Sequence, residues 1–213
     1  APDFGFRGGD AIVVTGAGGW LGLATIDCLW HALGDNFSDR VVCVGSQQRM
    51  LRLENGHEIA QIALEDLGAL PSRPTWVLHY AFLTKDKAQV LSEAEYRDAN
   101  ERIGNTVCAA LDRIGALGIF VASSGAAYRA DDASASHEMR LYGALKLSDE
   151  KRFAQWAISS KRRAVIARIF NVTGPYINKH EAYALASFIL DALSGRNIEV
   201  KAPRRVVRAY VSI

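Results

Sequence analysis

Five short apolar runs, separated by helix-length stretches, constrain this chain more than any other feature. They are "AIVVTG" (11–16), "RVVCVG" (40–45), "PTWVLHYA" (74–81), "GIFVASS" (118–124) and "RAVIARIFN" (163–171). Each is short, rich in β-branched residues and apolar at successive positions, so each reads as a strand buried on both faces. The stretches 20–33, 98–117, 141–160 and 182–195 read as helices. Within 98–117, Ile103, Val107, Leu111 and Ile114 recur at three- and four-residue spacing. Strands that are apolar on both faces need helices on both sides, and that arrangement is a parallel sheet. The expected fold class is α/β with a doubly wound, mostly parallel sheet, and ligands should bind beyond the carboxyl ends of its strands.

Composition narrows the function classes. A formal net charge of +2 over 213 residues argues against nucleic acid and against an anionic membrane surface. No apolar stretch has the length of a membrane span. The opening "APDFGFRGGD" lacks the basic and apolar regions of a signal peptide, so a cytoplasmic location is expected. Cys28, Cys43 and Cys108 are widely spaced, as reduced core residues would be. His31, His57, His79, His137 and His180 show no ligand spacing, and no metal is expected.

The first strand runs directly into "TGAGGWLG" (15–22), which opens the first helix. A glycine-rich turn alone is weak evidence. One at the head of an alternating α/β chain is the Rossmann position for a dinucleotide. Gly16 turns the backbone, Gly18 or Gly19 admits a pyrophosphate, and Gly22 lets the helix approach the sheet. Trp20 and Leu21 stand in the first turn, where unpaired N–H groups attract an anion. The end of the second strand bears on the choice of dinucleotide. A carboxylate there would bond the 2′-hydroxyl of NAD, but the chain has Gly45 and Ser46, followed by Arg49. Ser46 can donate to a 2′-phosphate and Arg49 can offset its charge. NADP is therefore favoured, with NAD possible. "EDL" (65–67) is a candidate adenine contact through Asp66 and Leu67, although its spacing alone reads as a turn.

"YGALK" sets Tyr142 and Lys146 four residues apart, on one face of a helix. A nearby ammonium, together with the positive nicotinamide ring of a cofactor, favours the phenolate and is expected to lower the tyrosine pKa from about 10. Tyr142 would then move a proton while a cofactor moves a hydride, and Lys146 would also bond the cofactor ribose. Ser123 and Ser124 end the strand 118–124, where a serine can stabilise charge on a substrate oxygen.

Together these motifs resemble the extended short-chain dehydrogenase/reductases, the NAD(P)-dependent epimerase/dehydratase group typified by UDP-galactose 4-epimerase. "TGAGGWLG" matches that family's T-G-x-x-G-x-x-G. "HYAF" (79–82) resembles H-x-A-A, which puts Ala81 at the cofactor, and "NERIGN" (100–105) resembles N-V-x-G-T, which puts Asn100 near the nicotinamide. "SSGAAY" (123–128) resembles S-S-x-x-V-Y, "YGALK" is its Y-x-x-x-K, "RIFNVTGP" (168–175) resembles R-x-F-N-V-Y-G-P, and "VRAYVSI" (207–213) resembles R-D-F-V-x-V.

The resemblance implies a catalytic set of Ser124, Tyr142 and Lys146, with Ser124, Asn171 and Arg208 touching a nucleotide-sugar substrate. It places Lys85 one position past a basic residue that meets cofactor phosphate in some members. It implies a dinucleotide-binding unit over 1–175 and the start of a substrate lobe over 176–213, with most of that lobe beyond this chain. It also implies a homodimer through the helices 98–117 and 141–160, with Phe153 and Trp156 as candidate anchors.

The departures matter as well. Gly125 and Ala126 stand where sugar dehydratases carry an Asp-Glu pair, which points to epimerisation or carbonyl reduction. The expected activity is reversible hydride transfer on a nucleotide sugar. Reduction of a small non-sugar carbonyl is one alternative, and a non-catalytic NAD(P)-sensing protein is another.

Overall fold

The computed structural model describes residues 8–180, 183–200 and 205–213. Its sheet strands are β1 (Ala11–Thr15), β2 (Val41–Gly45), β3 (Arg49–Arg52), β4 (Glu58–Ala63), β5 (Thr75–His79), β6 (Ala116–Ser124) and β7 (Arg163–Ile169). They form one seven-stranded sheet in the order β3-β4-β2-β1-β5-β6-β7. Every neighbouring pair is parallel except β3–β4. The helices are α1 (Trp20–Leu33), the one-turn α2 (Phe37–Arg40), α3 (Glu93–Leu111), α4 (His137–Ser160) and α5 (Ala184–Leu193).

Alternation along the strands builds two cores, one on each face. In β1, Ile12 and Val14 join Ile26, Phe37 and Cys43 beneath α1. Val13 points the other way, toward Val107, Leu111 and Phe153 of α3 and α4. The chain passes from β1 to β2 on one side and later to β5 on the other, so the strand order reverses beside β1. That reversal opens a crevice at the carboxyl ends of β1, β2 and β5.

The observed elements extend the sequence expectations in two places. The β3–β4 hairpin was not expected. Asn55-Gly56 turns it, with Gly56 at φ +86 and the Leu53 N–H donating to the His57 carbonyl at 2.9 Å. Helix α3 starts at Glu93 rather than 98. Ser92 and Glu95 bond each other's backbone N–H in a reciprocal cap that draws the helix start upstream. The helix ends at Leu111, and Gly115 (φ +74) turns the chain into β6.

The proposed dimer anchors are corrected here. Phe153 is 0% exposed within the core against the sheet, edge-on to His79 at 4.9 Å. Trp156 is buried and donates its indole N–H to Asp112 at 2.9 Å. Neither side chain is presented to a second copy, because helix-to-sheet packing takes up both.

Beyond β7, two short strands, β8 (Val172–Thr173) and β9 (Val211–Ser212), pair in parallel apart from the main sheet. Among the described residues, no helix is long and apolar enough to cross a membrane.

Candidate active site

The glycine turn after β1 packs without room for side chains at two points. Gly16 holds φ +70, and a Cβ there would lie 2.6 Å from the Ala81 nitrogen. A Cβ on Gly22 would collide with the carbonyls of Gly16 and Ala17. The glycine turn thus lies against the loop that follows β5, the first turn of α1 lies against the glycine turn, and the free N–H groups of that helix turn face the crevice. Thr15 ties these strands together. Its hydroxyl meets His79 Nδ1 at 2.7 Å and accepts from the Ala81 N–H at 3.4 Å. His79 is buried, and burial pushes its pKa down to about 3, helped by the charges of Lys146 and Arg152. It is a neutral structural group at every working pH.

The crevice has two adjoining chambers that share Gly16, Gly19, Tyr80, Phe82, Thr84 and Lys179. The first, of about 330 Å³, includes Trp20, Leu21, Gly22, Ser124, Tyr142 and Lys146 in its lining. The second, of about 650 Å³, includes Gly18, Gly45, Ser46, Arg49, Gln61 and Ala81. A dinucleotide has this bipartite shape, and the glycine turn sits where its diphosphate would cross from one chamber to the other.

In the first chamber, Ser124 ends β6 and Tyr142 lies in the second turn of α4. Burial pushes the Tyr142 phenol above its usual range, while a hydrogen bond with the Ser124 hydroxyl acts the other way. Lys146 is buried one turn further along. Its ammonium donates to the Ala122 carbonyl at 2.8 Å and lies 3.7 Å from the centre of the Phe82 ring. Burial pushes it down to about 8. In the protein alone the phenol thus stands above its usual range, whereas the expected lowering involves the cofactor ring as well as Lys146. The Lys146 ammonium is directed at a carbonyl and an aromatic face. Ser123 lines the same chamber, but its hydroxyl is engaged elsewhere. It donates to Glu150 at 2.5 Å, and Glu150 holds Arg168 through two bonds of 2.9 and 2.7 Å.

In the second chamber, the Arg49 guanidinium lies directly against the Gly18 backbone, where any side chain would collide with it. Ser46 stands beside it at the end of β2. Two expected contacts fall elsewhere. Asp66 is exposed and Leu67 is buried in the core, so neither lines the chamber. Leu64 and Glu65 take that place because the 3₁₀ turn Leu64–Ala69 rotates Leu67 inward.

Asn100 is buried as a structural clamp. Its Oδ1 accepts from the Leu83 N–H at 2.8 Å, and its Nδ2 donates to the Tyr96 carbonyl at 3.1 Å. It shapes the loop that lines both chambers without lining either. Asn171 donates to the Ala209 carbonyl at 3.2 Å, pinning β9 to β8, and Arg208 is exposed beside it. Neither lines the crevice, nor does Lys85.

The lining residues that sequence reasoning missed include Gln61, Arg102 and Lys179. Lys179 bonds Thr84 at 2.7 Å and pairs with Asp86. Gln61 and Lys179 belong to no local motif, and Arg102 lies within "NERIGN", where Asn100 was the residue singled out. Each reaches the crevice from an element distant in sequence.

The sequence profile of the NAD dependent epimerase/dehydratase family matches residues 12–213. Among curated protein sequences no match is found. Solved structures with the same fold include the UDP-N-acetylglucosamine 4-epimerase of Methanobrevibacter ruminantium M1, in complex with UDP-N-acetylmuramic acid. It has 22% identity and a TM-score of 0.64, over 88% of this chain and 64% of that one. The UDP-glucose 4-epimerase of Thermotoga maritima, with UDP-glucose, has 20% identity and a TM-score of 0.66, over 95% of this chain and 69% of that one. The dTDP-glucose 4,6-dehydratase of Streptomyces venezuelae, with NAD bound, has 18% identity and a TM-score of 0.66, over 95% of this chain and 68% of that one. The chain thus spans 64% of the length of the Methanobrevibacter enzyme.

Proposed function

This chain belongs to the NAD dependent epimerase/dehydratase family, and from that premise we propose that it serves an NAD(P)-dependent epimerase acting on a nucleotide sugar. The observation that supports this most is the shared chamber of Ser124, Tyr142 and Lys146 beside the glycine turn. The residues suit a dinucleotide, since the loop at Gly16 and Gly22 has no space for side chains and presents backbone N–H groups to a diphosphate. When bound, the nicotinamide accepts and returns a hydride.

The chain's own residues handle the proton. Tyr142 takes it from a sugar hydroxyl and gives it back. Ser124, in the same chamber as Tyr142, aligns that hydroxyl and steadies charge on its oxygen. Lys146 holds the ribose on the nicotinamide side. Tyr142 alone is held protonated by burial, so the positive charge of an oxidised nicotinamide supplies the pull toward phenolate. Ser46 and Arg49, with no carboxylate at position 45, favour NADP over NAD. Residues 176–213 begin the substrate lobe.

A second reading is reduction of a smaller carbonyl. It is favoured by the placement of Asn171 and Arg208 outside the crevice. An epimerase retains its oxidised cofactor, whereas a reductase exchanges it.

The test is turnover of UDP-hexoses with Tyr142→Phe. Inversion should fall about 10²–10⁴-fold while dinucleotide affinity is kept. Undiminished turnover in the variant would remove Tyr142 from the chemistry.

A further inference from the structure

The structure points to Gln61 as the residue that reads the adenosine ribose, and we propose it as a determinant of cofactor choice. The inference rests on the dinucleotide reading above. In α/β nucleotide sites the side chain that ends the second strand meets this ribose, and it is usually a carboxylate. Here β2 ends at Gly45, which has no side chain. The vacated space is filled from the neighbouring strand. A Cβ built on Gly45 would run into the carboxamide of Gln61 on β4. The register pairs Cys43 with Gln61 and Gly45 with Ala63, so the Gln61 side chain runs along the strands to reach their carboxyl end.

Gln61 is 1% exposed. Its Nε2 donates to the Gln47 carbonyl at 2.7 Å. That bond sets the amide's orientation, because only the nitrogen can donate. The Oε1 lies beside Gly45, buried and without a hydrogen-bond partner among the described residues. A buried acceptor with no donor is destabilising, and an apolar side chain would pack there without that cost. Gln61 lines the same chamber as Gly45, Ser46 and Arg49, so a donor can arrive with a ligand. At the place of the absent side chain, a ribose hydroxyl is that donor.

The chemistry differs from that of a carboxylate in one respect. A neutral amide accepts from a hydroxyl without repelling a neighbouring 2′-phosphate. Gln61 therefore lets both dinucleotides bind, and Arg49 tips the balance toward the phosphorylated one.

The test titrates wild type, Gln61→Met and Gln61→Glu with NADH and NADPH in one buffer, and melts each unliganded protein. Gln61→Met should weaken both dinucleotides about tenfold, and its unliganded melt checks that it is folded. Gln61→Glu should weaken NADPH at least tenfold more than NADH. ADP and its 2′,3′-dideoxy analogue provide a check that does not depend on the Glu variant folding. Wild type should prefer ADP by about tenfold, and Gln61→Met should not distinguish the two. Unchanged dinucleotide affinity in Gln61→Met, or equal discrimination of ADP from its dideoxy analogue in both proteins, overturns the assignment. Wild type binding neither dinucleotide would instead sink the reading on which the assignment rests.

Discussion

The seven-stranded sheet and the stretch that follows it are packed by different rules. All five residues of β1 are buried, and the helices on both faces bury their apolar sides against the strands. After β7, large apolar side chains face outward. Leu193 and Val207 are each 80% exposed. The crevice draws on both regions unequally. Except for Lys179, the second chamber is lined by residues from the glycine turn to α3, all held by the sheet. The first chamber takes part of its wall from Phe170, Asn178 and Tyr183 in the later stretch. On the proposed reading, cofactor recognition is thus built on the sheet-held part of the molecule. On the same reading, the stretch after β7 supplies part of the substrate side of the crevice, while Asn171 and Arg208 stand outside it.

The contrast can be broken most directly by truncation. Phe153→Ala empties a core site and should cost about 3–5 kcal/mol. Leu193→Ala removes an exposed side chain and should stay within about 0.5 kcal/mol. Urea denaturation measures both, and comparable losses would show that the later stretch is as tightly packed as the sheet.

A smaller effect sharpens the same contrast inside the crevice. Burial lowers Lys146 from 10.5 to about 8. Below pH 8 the lysine is charged in folded and unfolded chains alike, and burying the charge costs stability. Between pH 8 and 10.5 the unfolded chain holds a proton that the folded one lacks, so stability rises with pH across that window. Relative to Lys146→Met, the wild type should gain at most about 3 kcal/mol there. A difference that stays flat with pH would mean that Lys146 is solvated.

The same division explains what was legible in the sequence. The parallel sheet announced itself through strands such as "AIVV" and "VVCV", which are apolar at every position because both faces are covered. Ser124, Tyr142 and Lys146 were legible because motif and element coincide. The β3–β4 hairpin was overlooked because "RMLR" is half charged and lies at an exposed sheet edge, although Asn55-Gly56 was a turn signal. The upstream start of α3 was signalled by Ser92 and Glu95, three residues apart. Asn100 lies on the expected helix, but its side chain turns to the backbone at Leu83 and Tyr96, which spacing cannot reveal. Gln61 was illegible in principle. Its role follows from a strand register and from the missing side chain of Gly45 sixteen positions earlier.

The central claim is that the two chambers form one dinucleotide site that favours the phosphorylated cofactor. Calorimetric titration of the protein with NADPH and NADH in one buffer tests it most directly. Saturable one-to-one binding of NADPH, at least as tight as that of NADH, is the predicted result. NADH binding tenfold tighter, about 1.4 kcal/mol, would contradict the cofactor choice, and no saturable binding of either would contradict the site itself.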